Sequence, residues 1–266
     1  MKTKIKKYWQ LFWYFRKLQL MRQLEYRTDF IFWGFVSLMW SGFTFFFFSL
    51  IVRVSGNIGG WNEYQIYLLI SVFTILDAFT WSFFYHNMRY YTNYVFSGDL
   101  SQFLTKPIDT QFLMMTQNNT YNNIFRLIMG IVMLLWSINK LQLEISLLSF
   151  VWFFYTFIVA MLFVYFLWFC ISTLSFYVEK LDNINDIIPS LRQMWQVPEE
   201  VYTGFFSVLF RFIIPLGLIT SIPTKILLGQ QPWVSTIYLS VFTVLMMIIS
   251  RIFFKFSLRK YGSVGN

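Results

Sequence analysis

Residues 146–172 read SLLSFVWFFYTFIVAMLFVYFLWFCIS, a run that contains no Asp, Glu, Lys or Arg. The hydrocarbon core of a bilayer is about 30 Å thick, and about 20 helical residues are enough to cross it. The strands of a membrane barrel would alternate apolar and polar residues, and this run does not alternate. We therefore predict a transmembrane helix at residues 146–172.

The whole chain has the composition of a membrane protein. Of its 266 residues, 57% are hydrophobic and only 12% are charged, whereas a soluble domain carries about 25% charged residues. Long apolar runs recur, which a large soluble core would not produce. We predict an all-α integral membrane protein that forms one transmembrane domain over residues 1–266. Its six predicted transmembrane helices cover residues 30–52, 64–85, 118–138, 146–172, 203–222 and 235–256.

The 21 Lys and Arg residues are distributed unevenly around these spans. With the N-terminus inside, Arg53, Lys140 and Lys225 flank the outer ends, Arg211 falls within a span, and the other basic residues flank the inner ends. Cytoplasmic loops carry the excess of positive charge, so we expect a multi-pass protein of a bacterial cell membrane with both termini in the cytoplasm. The net charge of +9 then reflects topology and anionic membrane lipid, with no nucleic-acid partner.

Two polar segments separate the last three predicted spans. Residues 179–200 are predicted to form a cytoplasmic loop, and residues 221–233 a short outer segment. Ile226, Leu227 and Leu228 allow the outer segment to dip back into the membrane if protein covers its backbone.

Residues 8–27 are predicted to form an amphipathic helix that lies in the membrane interface. Apolar residues recur at helical spacing on one face, and basic and amide side chains occupy the others. Trp9 and Trp13 suit the headgroup region. The helix is either a simple surface anchor or a docking element, and the sequence leaves both open.

The segment GDLSQFLTKPID, residues 98–109, is a polar interruption that the topology places in the cytoplasm. Asp99 is positioned to cap a short helix, with Gln102 at its third position. Leu100, Phe103 and Leu104 then share one face, and Pro107 ends the helix. Asp109 or Thr110 can cap the helix that follows. We predict a short, rigid cytoplasmic helix with an exposed apolar face, as a docking element requires.

One carboxylate falls in the middle of a predicted span. Asp77 lies in the second span, where a charge costs roughly 2.5–3.5 kcal/mol, so we expect it to face protein or water. It is either a substrate-path carboxylate or a helix-packing group, and Arg211 is the candidate partner. Pro215 and Gly217 are expected to bend the fifth span, either to help a pathway open or as a static feature.

The sequence lacks the motifs of catalysis and of nucleotide binding. It contains no G-x-x-x-x-G-K-[ST], so this chain is expected to bind no ATP and no other cofactor itself. It contains no G-x-S-x-G and no H-E-x-x-H. One cysteine, Cys170, and one histidine, His86, cannot assemble a metal cluster. We predict no catalytic and no metal site.

The pattern as a whole resembles a permease subunit of the ABC type-2 exporter family. The matching residues in the cytoplasmic segment are Gly98, Asp99, Leu100, Leu104, Lys106 and Pro107. In residues 197–229 the matching residues are Pro198, Tyr202, Arg211, Pro215, Pro223 and Gly229. The resemblance implies that residues 99–106, including Phe103, form the coupling helix, which sits in a groove of a separate ATPase that binds ATP and Mg. It also implies a second permease copy or a related permease as a dimer partner.

The leading hypothesis is therefore a non-catalytic export permease driven by ATP hydrolysis on a partner chain. The scarcity of charge within the spans favours an amphipathic or hydrophobic substrate, such as a peptide, lipid or drug. The alternative is a secondary transporter or channel with no ATPase partner, which would be expected to carry several intramembrane carboxylates or paired interrupted helices. A membrane-embedded enzyme would need clustered His, Asp or Glu, and the lone histidine argues against it.

Overall fold

The computed structural model describes residues 2–178 and 184–261, and these residues form helices joined by turns, with no β-strand among them. Lys180 and the rest of residues 179–183 lie outside the described residues. The α-helices are α1 (Lys2–Glu25), α2 (Arg27–Ser55), α3 (Glu63–Phe79), α4 (His86–Ser97), α5 (Ser101–Leu104), α6 (Thr110–Thr116), α7 (Ile124–Lys140), α8 (Leu147–Thr173), α9 (Ile187–Leu191), α10 (Gly204–Val208), α11 (Leu218–Leu227) and α12 (Trp233–Ser257).

Four helical stretches in the described part of the chain are long and apolar enough to cross a membrane: Arg27–Ser55, Glu63–Ser97, Leu147–Phe176 and Trp233–Lys260. The second consists of α3 and α4, joined by the π-helix Thr80–Tyr85. The predicted span at 118–138 corresponds to α7, which has 17 residues and starts at Ile124. The all-helical membrane class is confirmed, whereas the count of six transmembrane helices stays a prediction.

A close approach between α3 and α7 sets the centre of the fold. A Cβ atom at Gly130 would lie 2.8 Å from Cγ1 of Ile75 and 3.2 Å from its backbone nitrogen. Only glycine permits this contact without a shift of the neighbouring helix. Elsewhere in the core, α8 packs against both α11 and α12. Gly130 lies one helical turn after Arg126, and Ile75 lies two residues before Asp77, so the same contact brings these two charged residues together.

The predicted fifth span is not a straight helix. α10 and the π-helix Leu209–Ile213 meet α11 at an angle of 81°. Ile214 leaves the helical conformation directly before Pro215, as the residue before a proline tends to do. The expected bend at Pro215 is therefore confirmed. Ile226 and Leu227 are buried at the end of α11, so protein covers this part of the predicted outer segment.

Residues 184–201 form short helical turns that pack along the core helices, whereas the sequence analysis predicts a loop at residues 179–200. The cytoplasmic position of these residues stays a prediction. Asn185 donates a hydrogen bond to Thr92 near the end of α4 (2.6 Å). Val201, at the other end, lies against Gly59 in the turn before α3. The segment therefore runs antiparallel along α3 and α4. It consists of short helical turns. Ile184, Ile188 and Trp195 are buried, whereas Asp186 and Gln193 are exposed.

The N-terminal helix α1 extends over the predicted interfacial segment but uses its polar face for packing. Arg16 is buried and donates to the backbone oxygen of Thr116. Gln23 donates to the Thr120 hydroxyl (2.9 Å) and accepts from the backbone N–H of Tyr121 (2.8 Å). These polar groups hold α1 on the turn before α7. Trp9 and Trp13 remain exposed, as an interfacial position would require.

Candidate functional site

The segment after α4 begins with a turn that only glycine adopts without strain. Gly98 has a φ of 79°, in the left-handed region. Asp99 does not cap the next helix with its carboxylate, contrary to the sequence-based prediction. The carboxylate instead accepts hydrogen bonds from the Ser97 hydroxyl (2.7 Å) and the Gln102 amide (3.1 Å). It therefore braces the turn, and helix α5 begins only at Ser101.

Two residues of the predicted apolar docking face are buried in the chain itself. Leu100 is fully buried and Phe103 is only 4% exposed. The Phe103 ring packs against Tyr94 with ring centroids 4.7 Å apart, and the Lys106 ammonium lies 4.6 Å from the centroid of that ring. The expectation that Leu100 and Phe103 are exposed is wrong, because they anchor the segment to the core. The exposed residues of the segment are Asp99, Gln102, Leu104, Thr105, Lys106 and Pro107.

The two ends of the chain hold this segment in place. Tyr261, just after α12, donates to the backbone oxygen of Gly98 and accepts from the Ser101 N–H (3.2 Å). Tyr8 of α1 accepts from the Asp109 N–H (3.1 Å). Arg251 of α12 forms an ion pair with the Asp109 carboxylate. The segment is therefore in contact with both α1 and the C-terminal end of α12.

Asp109 is the N-cap of α6, which confirms one of the two predicted caps. Its carboxylate accepts from the Phe112 N–H (3.1 Å). Burial raises the pKa of Asp109, but the hydrogen bonds from Arg251 and Phe112 outweigh burial and lower it below its ordinary value. Asp109 is therefore held ionised, as an N-cap and an ion-pair partner should be.

Asp77 lies in a buried cluster with two arginines. Arg126, in the first turn of α7, forms an ion pair with its carboxylate. Arg192, in the segment that runs along α3, lies 3.4 Å from the same oxygen. The indole of Trp81 donates to the other oxygen at 3.1 Å. The predicted partner Arg211 is wrong, because Asp77 takes its partners from α7 and from the segment that the sequence analysis placed in the cytoplasm.

Arg211 belongs to a second ionic cluster around Glu199. Its guanidinium lies 3.4 Å from the Glu199 carboxylate, which also pairs with Lys225 of α11. Lys225 lies 2.6 Å from Glu200 as well. This cluster ties the segment 184–201 to both arms of the bend at Pro215. Arg211 lies on a π-helix, as Trp81 does, and such turns are frequent at functional sites.

An open cleft of about 800 Å³ lies above the Asp77 cluster. α2 contributes Trp33 and Trp40, and the π-helix contributes Trp81 and Tyr85. Three arginines line the cleft, Arg89, Arg126 and Arg192, together with the imidazole of His86. The cleft has room for a ligand of small-molecule size, since such sites usually measure about 300–1,000 Å³.

The sequence analysis missed Arg126 and Arg192 because it counted both as loop charges. The signal available for Arg126 was its position inside the apolar run 118–138, since intramembrane charges are usually paired. No comparable signal marks Arg192. Its segment carries short apolar stretches broken by Pro189 and Pro198, which read as a loop.

A comparison with known families matches residues 38–265 to the model of a family described as "ABC-2 family transporter protein". The matched region starts within α2 and includes residues 98–109 and both ionic clusters. It also includes most of the cleft lining, except Asp29, Trp33, Val36 and Ser37, which precede it. No curated protein and no solved structure matches the chain.

Proposed function

The chain belongs to the ABC-2 transporter family, and from this premise we propose that it is the permease subunit of an ATP-binding cassette exporter. The permease itself performs no catalysis. A separate cytoplasmic ATPase binds ATP and Mg, and its hydrolysis cycle moves this chain between two conformations. A second permease copy or a related permease completes the transport pathway in the cell membrane.

The observation that carries this proposal is the anchoring of the segment 98–109. A coupling element must expose residues to the ATPase and must also pass its movement to the membrane helices. Asp99, Leu104, Lys106 and Pro107 are exposed, and we assign them to the ATPase contact. Leu100 and Phe103 instead transmit movement, since they pack within the core.

The tyrosine and arginine contacts extend this transmission. A shift of the segment displaces Gly98, which Tyr261 holds, and Asp109, which Arg251 holds. Both partners belong to the C-terminal end of the chain, where α12 packs along α8. Movement of the segment therefore reaches the core helices without an intervening flexible loop.

The second candidate is a secondary transporter or channel that works without an ATPase. Asp77 favours it, because an intramembrane carboxylate is typical of ion-coupled transport. However, Arg126 and Arg192 both neutralise this carboxylate, so it is poorly suited to exchange a proton or to bind a cation. We therefore rank the exporter proposal first, with Asp77 as a helix-packing group.

Copurification from the native membrane tests the proposed function. We expect the tagged chain to bring down a soluble ATPase that mass spectrometry identifies by its nucleotide-binding motif. Lys106→Glu should reduce the recovered ATPase severalfold, because it reverses an exposed charge at the proposed contact. Asn57→Asp, also exposed but in the turn between α2 and α3, is the matched control. Recovery of the chain without any ATPase would contradict the proposal.

A further inference from the structure

The floor of the cleft carries an unbalanced positive charge. Arg126 and Arg192 share the single carboxylate of Asp77, and neither has a second carboxylate partner among the described residues. Arg126 is only 9% exposed, and its Nε has no hydrogen-bond partner in the described part of the protein. A buried cation without full compensation is costly. An anion in the cleft would offset that cost.

The walls of the cleft suit an apolar body attached to such an anion. Trp33 and Trp40 are 50% and 59% exposed along α2. The Trp81 and Tyr85 rings face each other with centroids 4.3 Å apart on the π-helix. Indole and phenol rings offer large apolar contact areas. The polar floor and aromatic walls together match an amphipathic molecule better than a small inorganic ion.

The positive charge of the cleft distinguishes between an amphipathic cation and an amphipathic anion as its ligand. Aromatic walls alone would also suit a quaternary ammonium compound. Here Arg89, Arg126 and Arg192 line the same cleft, and the acidic group at its rim is Asp29. Three guanidiniums would repel a cationic headgroup. They would donate charge-assisted hydrogen bonds to a phosphate or carboxylate, the groups that arginine binds in bidentate geometry.

We propose that this cleft binds an amphipathic anion, a molecule with a phosphate or carboxylate headgroup on an apolar body. Arg192 and Arg89 contact the headgroup, Arg126 supplies positive charge from below, and Trp33, Trp40 and Trp81 contact the apolar body. The inference rests on the proposed function in one respect, since it names the substrate class that such an exporter would carry. A membrane lipid and a transported non-lipid amphiphile share this chemistry.

Binding to the full-length chain, without any ATPase, tests the proposal independently of the transport function. The chain is reconstituted in phosphatidylcholine nanodiscs and titrated with a dansyl-labelled alkyl phosphate, and energy transfer from tryptophan is recorded against empty nanodiscs. The matched probe is the same dansyl alkyl chain with a trimethylammonium headgroup. We expect the phosphate probe to bind at least about tenfold more tightly, since hydrogen bonds to charged groups contribute that much.

Arginine variants locate the site. Arg192→Gln should raise the Kd of the phosphate probe about tenfold, and Arg89→Gln, an exposed residue outside the ion pairs of the described structure, should raise it severalfold without risk to folding. Arg259→Gln, exposed after α12, is the control and should leave the Kd unchanged. Equal affinity for the two headgroups would overturn the proposal, and so would an unchanged Kd in both Arg192→Gln and Arg89→Gln.

Competition distinguishes the two sources of the anion. If phosphatidylglycerol in the nanodisc displaces the phosphate probe, the ligand is a lipid headgroup. If unlabelled alkyl phosphate displaces it and phosphatidylglycerol does not, the ligand is a non-lipid amphiphile. Either result supports the anion site. Displacement by neither would contradict a specific site, because the probe would then be partitioning into the bilayer.

Discussion

Arg126 of α7 forms a buried ion pair with Asp77 of α3, and the close helix contact at Gly130 one turn further along α7 makes this pairing possible. The two residues lie 49 positions apart in the sequence, on different helices. Arg192 approaches the same carboxylate from a third segment. Asp77 therefore joins three parts of the chain, and its two arginine partners, Arg126 and Arg192, line the cleft.

Asp77→Asn should destabilise the protein strongly. The substitution leaves Arg126 buried beside a neutral amide, and loss of one partner of a buried pair costs about 3–5 kcal/mol. Thermal unfolding of the purified protein in detergent should show a clearly lower midpoint. The double variant Asp77→Asn with Arg126→Gln should recover part of the loss, because it removes the unpaired charge. A single variant as stable as the wild type would contradict the ion-pair account.

Phe103→Ala and Leu104→Ala should affect different properties, although the residues are adjacent: the first should impair folding and the second ATPase association. Phe103 is buried, and truncation of a core phenylalanine costs about 3–5 kcal/mol, so this variant should be poorly folded. Leu104 is 40% exposed, and its variant should fold normally but lose ATPase association. Expression with size-exclusion chromatography measures the first effect, and copurification measures the second. Normal folding of Phe103→Ala would show that its packing matters less than its burial indicates.

Cysteine labelling tests the path of residues 184–201. On a Cys170→Ser background, Val201→Cys should react with a membrane-impermeant thiol reagent in intact cells, as Asn57→Cys should, because Val201 lies beside Gly59 in the turn before α3. Asp186→Cys, exposed at the other end of the segment, should not react. Protection of Val201→Cys together with reaction of Asn57→Cys would contradict this path and would support the cytoplasmic loop predicted from the sequence.

The ion pair between Asp109 and Arg251 should make stability depend on pH. The folded pKa of Asp109 lies below its unfolded value of about 3.9. The pair therefore stabilises the protein above that pH, and the contribution is lost as the pH falls through the folded pKa. Unfolding midpoints measured from pH 7 down to pH 3 should fall less steeply in Asp109→Asn than in the wild type. Parallel curves would exclude this contribution.

The sequence predicted those features that local patterns specify. The run at 146–172 became α8, and Asp109 became an N-cap, because apolar length and capping chemistry act within a few residues. The bend at Pro215 also follows from one residue. These features need no knowledge of distant contacts.

Other features depended on contacts between distant segments. In the sequence, Arg126 and Arg192 cannot be distinguished from the basic residues that flank the inner ends of the spans. Only the fold shows that both lie beside Asp77. The burial of Phe103 likewise depends on Tyr94 and on the core beneath it. The segment 184–201 was interpreted as a loop because hydropathy detects long apolar helices, and this segment consists of short helical turns that are held by contacts with distant helices.

Site-specific photo-crosslinking at position 104 tests the central claim most directly. A photoreactive amino acid replaces Leu104, which is exposed in the segment 98–109 that we propose contacts the ATPase. A matched chain carries it at Asn57 on the turn between α2 and α3. After irradiation of intact cells, the account predicts a crosslink from position 104 to a single soluble chain that contains a nucleotide-binding motif, and none from position 57. Absence of an ATPase crosslink from position 104, in cells where the protein is folded and abundant, would contradict the assignment of this chain as an ATPase-driven permease.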